Sequence, residues 1–254
     1  MHPPLSSRIQ GLSASFLHDT NLLCVLFFAG PQDQVYREEV QEATMLRADL
    51  YEDKVSLDAY LSSGDCRACG FQDRKEFLER LRSGQLRPDS CKLSKTRFLA
   101  LTWAARPEEI LPPTEVLQLP SPGPSGLYPM NDPGRDSPVL VSGNSELTIA
   151  VLSAVLATTI SPFWYLVVDL DGHTVDMALV YDVMNADRIV NAFEQESLNQ
   201  KTSESTIYLP GLAAPLCVEL AERVKRPIVP GPVCAAELPL FFGEELWQVP
   251  ADTS

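Results

Sequence analysis

From residue 138 onward, short apolar runs alternate with segments whose apolar positions recur every three to four residues. That pattern predicts strands at 139–141, 165–169, 174–181, 206–209 and 228–229, with helices at 146–157, 187–196 and 213–224. Strands that are apolar at every position must be covered on both faces. The expected fold class is therefore α/β: a C-terminal Rossmann-like, mainly parallel sheet with helices on both faces. In such a sheet the ligand crevice lies beyond the carboxyl ends of the strands. The loops expected there are Ser142-Gly143-Asn144, Asp171-Gly172-His173, Pro210-Gly211 and Pro230-Gly231-Pro232.

Ahead of this region the pattern is less regular. Residues 22–28 form a strand-like apolar run closed by Gly30-Pro31, and a polar, helical stretch follows at 34–50. No chemistry is legible there. A short helix is predicted at 75–82, closed by Gly84, inside a small, mainly helical module that carries three cysteines. Between 105 and 137 the chain turns rich in Pro, Gly and Ser, the composition of a linker that buries little apolar surface. The expected organisation is an N-terminal segment at 1–50 with no assigned role, the cysteine module at 51–104, the linker at 105–137 and the α/β domain at 138–254.

Composition narrows the function classes. A hydrophobic fraction of 45% over 254 residues supports a globular core. The formal net charge of −14 opposes phosphate backbones, so no nucleic-acid partner is expected. The run at 22–29 is too short to span a bilayer, and the one at 147–170 is broken by Thr158, Thr159, Ser161 and Pro162, so no membrane partner is expected either. Six cysteines, two of them in a Cys-x-x-Cys pair, fit a reduced, cytoplasmic setting better than a secreted disulfide frame. Neither a Gly-rich phosphate loop nor a Gly-x-Ser-x-Gly elbow is present.

Cys66, Cys69 and Cys91 are the candidate metal ligands. Thiolates two residues apart with a distant third can converge on a soft metal or an iron–sulfur cluster. Cys24, Cys217 and Cys234 sit in apolar surroundings and read as small core residues, and the three histidines give a zinc site little support.

The cysteine segment resembles the four-iron four-sulfur module of the large subunit of the corrinoid iron–sulfur protein of the CO dehydrogenase/acetyl-CoA synthase system. The family pattern is Cys-x2-Cys-Gly-x3-Cys-x16-Cys, and Cys66, Cys69, Gly70, Gly84 and Cys91 match it in type and spacing. Arg74 stands where the third cysteine belongs. A [4Fe-4S] cluster would need an atypical fourth ligand, with Asp73 and Cys24 the alternatives, unless the module has lost its metal. The C-terminal region resembles the cobalamin-binding domain of the same subunit. The strings that carry the likeness begin with Pro138 to Thr148 and the strand and turn Leu166 to Val175. They continue with Leu209-Pro210-Gly211 and with Val229-Pro230-Gly231-Pro232-Val-Cys-Ala235. The family's large barrel domain, normally between the two matched parts, is missing.

That resemblance implies a corrinoid cofactor, cobalamin, held by Asn144, Thr148, Gly172, Thr174, Val175, Met177, Pro210, Gly211, Gly231 and Pro232. Gly143, Gly172, Gly211 and Gly231 are expected to let the backbone approach the ring. Met177 falls where the family faces cobalt, either capping the metal or packing against the ring, unless it is an ordinary strand residue of the core. His173 beside it reads as a solvent-facing turn residue. Asp176 and Asp182 replace uncharged family residues and point to altered or lost ring binding. The implied function is a methyl-group carrier with an associated iron–sulfur module, partnered by a methyltransferase or the small corrinoid-protein subunit, and no catalytic side chain is required of it. The alternatives are a non-catalytic binding module that retains the fold without cofactor, and an electron relay using only the cysteine module.

Overall fold

The computed structural model describes residues 47–116, 119–202, 205–251 and 253. The strand expected at 22–28, Cys24 and most of the helix expected at 34–50 fall outside the described residues. Residues 45–254 form one compact unit.

Ten α-helices and five strands occur among the described residues. In the cysteine module α1 is Leu57–Tyr60, α2 Ser63–Ala68, α3 Arg74–Arg82 and α4 Lys95–Ala105. Strand β1, Gly126–Met130, follows, then β2, Val139–Gly143, α5, Glu146–Leu156, and β3, Phe163–Val168. The chain continues through α6, Val175–Val180, α7, Ala186–Gln195, α8, Leu198–Lys201, and β4, Ile207–Leu209. It closes with α9, Cys217–Val224, β5, Ile228–Pro230, and α10, Leu238–Leu246.

The strands form one mixed sheet in the order β1-β3-β2-β4-β5. Pairings β3–β2, β2–β4 and β4–β5 are parallel, and β1 runs antiparallel to β3 in the register Gly126↔Val167 to Met130↔Phe163. The sheet is mainly parallel and covered on both sides. Phe163, Tyr165, Val167 and Leu140 point toward α5, α10 and α4, where Val155, Phe242 and Trp103 pack. Leu166, Val168, Val139 and Val141 point the other way, onto Ala178 of α6, Ile189 of α7 and Leu220 of α9. This alternation follows from successive strand side chains facing opposite sides of the sheet.

Among the departures from the sequence reading, two bear directly on the sheet. Residues 174–181, expected as a strand, are the helix α6, with Ala178 N–H donating to Thr174 O at 2.8 Å. A six-residue apolar run has no intrinsic period to separate strand from helix. Here β1 and β2 already flank β3 on its two sides, so the run packs on the face of the sheet instead. The linker holds the second departure: its residues 126–130 are the edge strand β1, which tolerates Pro129 because an edge can spare a ladder bond.

The linker also ties the sheet's loops together. Ser121 O accepts from Glu146 N–H at 2.9 Å, capping α5, while Ser121 N–H donates to Gly172 O at 3.1 Å. The cysteine module docks through α4: Leu99 and Trp103 share a core with Leu238 and Phe242. Among the described residues, no helix is long and apolar enough to cross a membrane.

Candidate ligand-binding site

Beyond the carboxyl ends of β2 and β4 lies a cavity of about 500 Å³. Its base is Val141 and Ser142 of β2 with Leu209 and Pro210 at the end of β4. Thr148, Val151 and Leu152 of α5 form one wall, and Thr174, Val175, Asp176 and Met177 at the start of α6 form another. Gly231, Pro232 and Val233 after β5 close a third side, and residues 47–51 run along the fourth. The volume lies within the usual range for a small-molecule site, and its lining is mostly apolar.

Seven of the ten residues expected to hold a cofactor line this one cavity: Thr148, Thr174, Val175, Met177, Pro210, Gly231 and Pro232. The structure puts the other three behind the lining. Asn144 is buried, donating from Nδ2 to Asp169 Oδ1 at 2.9 Å and accepting at Oδ1 from the N–H groups of Leu170 (2.8 Å) and Gly172 (3.1 Å). It locks two strand-end loops to each other. Gly172 has φ 75°, and a Cβ there would meet the backbone of Ser121 and Pro122. At Gly211 a Cβ would lie 2.7 Å from Gly231 O. The glycines expected to admit a ligand thus admit other parts of the chain at positions 172 and 211. At Gly143 too, the nearest atoms are those of Leu170.

Met177 is about two-fifths exposed and faces the cavity from the first turn of α6, so it is neither a strand residue nor buried. His173 lies outside the lining, its Nδ1 3.0 Å from Leu170 O and its ring edge-on to Tyr181. Tyr181 is exposed and does not plug the space. Asp182, also exposed, adopts φ 56° after α6 and lines no wall.

Sequence reasoning missed residues 47–51 altogether, since their polar pattern carries no site signal. Tyr51 and Asp176 both line the cavity, and burial first, then the influence of the Asp176 carboxyl, pushes the Tyr51 hydroxyl up to about 12. Ser142 Oγ lies 2.7 Å from the Tyr165 hydroxyl, which burial likewise raises to about 12. At pH 7 both phenols therefore carry their protons, and Asp176 is the acidic residue on the walls formed by α5 and α6.

In the cysteine module Cys66, Cys69 and Cys91 fall in one apolar cluster. Lys92 N–H donates to Ala68 O at 2.9 Å, which brings the segments side by side, and Cys69 is paired with Cys91 as a disulfide. Cys66 is buried as a free thiol, and burial raises its pKa. Arg74 is held by α1 and the residue after it: its Nη2 donates to Asp58 O at 2.6 Å and Leu61 O at 3.0 Å, and its Nε pairs with Asp58 Oδ1 at 3.1 Å. Asp73 is the N-cap of α3, its side chain accepting from Lys75 N–H. Among the described residues, no group of three or more His, Cys, Asp or Glu converges on a metal position. These residues do not supply the four-ligand set of a standard cluster. Cys217 and Cys234 are buried in core clusters, as expected of small core residues.

A mixed α/β sheet with an apolar cavity beyond its strand ends, framed by Gly and Pro loops, has the architecture in which small-molecule sites commonly occur. Residues 117–241, just under half of the chain, match the family model described as CO dehydrogenase/acetyl-CoA synthase delta subunit. It is 32% identical over 125 residues to acetyl-CoA decarbonylase/synthase complex subunit gamma 2 of Methanosarcina thermophila, covering 48% of this chain and 26% of that protein. Subunit gamma of Methanosarcina acetivorans is 31% identical over 124 residues, again 48% of this chain and 26% of the relative. For subunit gamma of Methanopyrus kandleri the figures are 28% over 120 residues, 47% and 26%. The matched stretch spans about a quarter of the length of these relatives.

Proposed function

We propose that this chain binds a corrinoid, cobalamin, in the cavity beyond β2 and β4 and serves as a methyl-group carrier. The observation that carries the reading is the gathering of Thr148, Thr174, Val175, Met177, Pro210, Gly231 and Pro232 around one apolar space within the family-matched stretch. When bound, a corrinoid supplies the methyl-transfer chemistry through its cobalt. The chain's own residues bind and shelter it. Leu147, Val151, Leu152 and Leu209 would shelter it from water, the hydroxyls of Thr148 and Thr174 would offer hydrogen bonds to its amide side chains, and the Met177 thioether would be available to hold or pack against it. No proton transfer is required of the protein.

The architecture supports a Rossmann-like assignment for the sheet. Its protein partners would be components of an acetyl-CoA decarbonylase/synthase-type assembly, a methyltransferase or a small corrinoid-protein subunit, acting in the cytoplasm. An iron–sulfur cluster is given no step, because Arg74 and the Cys69–Cys91 pair leave its ligand set incomplete.

One observation favours a second reading, a binding module without cofactor: Asp176 adds a carboxylate to a wall that a neutral ring would touch. Titrating the purified protein with hydroxocobalamin and following the visible spectrum separates the two. Saturable binding with a base-off spectrum, changed again in Met177→Ala, is expected of the carrier. A spectrum identical to free cobalamin at every protein concentration would sink it.

A further inference from the structure

Val141, Ser142, Leu209 and Pro210 form the base of the cavity, and among them Ser142 carries the side-chain polar group. Successive strand residues face opposite sides of the sheet, so Ser142 shares its face with Leu140, two positions earlier on β2. Leu140, Val151 and Leu238 pack in one cluster on that face, and all three line the cavity as well. The Ser142 side chain therefore stands on the side of β2 that the α5 wall covers.

Two contacts fix its hydroxyl. Ser142 Oγ lies 2.7 Å from the hydroxyl of Tyr165 on the neighbouring strand β3 and 3.3 Å from Gly143 O. Both side chains are buried, so both protons need acceptors inside the protein. Among the described residues, the Tyr165 hydroxyl has no hydrogen-bond partner other than Ser142. Were Ser142 to donate to Tyr165, the phenol proton would be left without an acceptor. The arrangement that places both protons has Tyr165 donating to Ser142 Oγ and Ser142 donating to Gly143 O. A serine oxygen has two lone pairs, so one stays free while its proton is already used. Ser142 thus presents the cavity with a neutral oxygen that accepts and does not give.

We infer that Ser142 Oγ is a specificity-determining acceptor that reads an N–H donor, such as a side-chain amide, on an otherwise apolar ligand, with Tyr165 as the positioning residue that fixes its proton. The corrinoid as bearer of that amide rests on the function proposed above; the preference for an N–H does not. A ligand that offers an ester or ether oxygen in place of the N–H sets lone pair against lone pair and binds more weakly.

The test measures binding to the full chain with two pairs of probes, each nearly matched in shape. Dicyanocobinamide carries side-chain amides, and dicyano heptamethyl cobyrinate carries methyl esters instead. Indole and benzofuran differ by one N–H and are independent of any corrinoid. The parent is expected to prefer the N–H member of each pair. In Ser142→Ala that preference should fall about fivefold, the scale of one neutral hydrogen bond. Tyr165→Phe keeps the Ser142 oxygen but unfixes its proton, so the preference should shrink by a smaller factor. A variant that only loosens the cavity weakens both members of a pair alike, which makes the ratio the readout. The apolar dye Nile red, which has no N–H, should bind the parent and Ser142→Ala equally, and a loss as large as that of indole overturns the inference. Where the corrinoids bind, their pair decides: a preference that survives Ser142→Ala leaves the carrier reading standing and overturns the role of Ser142. Should neither corrinoid bind, the carrier reading fails and the indole pair decides in the same way. A parent without preference, or one that binds none of the four probes, refutes the assignment.

Discussion

The backbone of Pro122 stands where a side chain on residue 172 would have to be: a Cβ on Gly172 would lie 2.8 Å from Pro122 Cα and closer still to its nitrogen. The contact joins a segment that reads as linker to the turn after β3, which leads directly into the Thr174–Met177 wall of the cavity. Gly172→Ala adds that clash to an unfavourable φ of 75°. We expect a loss of about 2–4 kcal/mol, from overpacking plus backbone strain, measured as a lower urea midpoint. A change of under ~0.5 kcal/mol would show that the 121–122 segment gives way freely.

Asn144 serves the same loops through its side-chain amide. Replacing it by Ala strands the buried N–H groups of Leu170 and Gly172, at about 1–3 kcal/mol for each unsatisfied donor. Asn144→Ala should therefore lose stability and cavity shape together although the residue touches no ligand. Dye binding that survives unchanged in a destabilised variant would separate the two effects and contradict the coupling.

Asp65 and Arg97 form an ion pair at 3.0 Å, with both side chains largely buried. Burial raises the Asp65 carboxyl, but hydrogen bonds from Arg97 and Ser62 outweigh it and hold the group below its ordinary value. A depressed carboxylate gives stability that is present above its unfolded value, ~3.9, and is lost as pH falls through the folded one. Asp65→Ala leaves Arg97 unpaired and removes the capping box of α2, costing about 3 kcal/mol at pH 7. The gap from the parent protein should narrow as pH falls below the ordinary carboxylate value of ~3.9 in paired urea titrations, and a gap independent of pH would refute the assignment.

Arg74 supports the end of α1 where a cluster ligand would otherwise stand. Anaerobic reconstitution with iron and sulfide should leave the parent protein without the charge-transfer absorption of a four-iron cluster. Arg74→Cys, reconstituted after reduction of the Cys69–Cys91 pair, should acquire it. Equal iron uptake by both proteins would overturn the claim that position 74 decides.

Much of the architecture was legible in order and type. The helices at 146–156, 186–195 and 74–82 fall within a residue or so of their expected limits, because each combines clear periodicity with an end signal such as the Asn185 or Asp73 cap. The predicted helix at 213–224 begins as a 3-10 turn over Gly211–Leu216 because Pro215 lacks the N–H that an α-helical turn would use, and regular α9 starts at Cys217. Helix α4 escaped notice: its apolar residues Phe98 to Leu101 are consecutive and show no amphipathic stripe, since α10 and the module bury it on several sides.

The sequence by itself determined an α/β sheet with both faces covered and the strand ends where its Gly and Pro loops gather. Those features depend on local periodicity and turn chemistry, which neighbours in the chain dictate. Only the tertiary structure decided that 174–181 coils into a helix, that 126–130 joins the sheet, and that residues 47–51 line the same cavity as Asp176. Each is settled by which sheet positions and cavity walls other segments have already filled, and that competition for space leaves no trace in the order of residues.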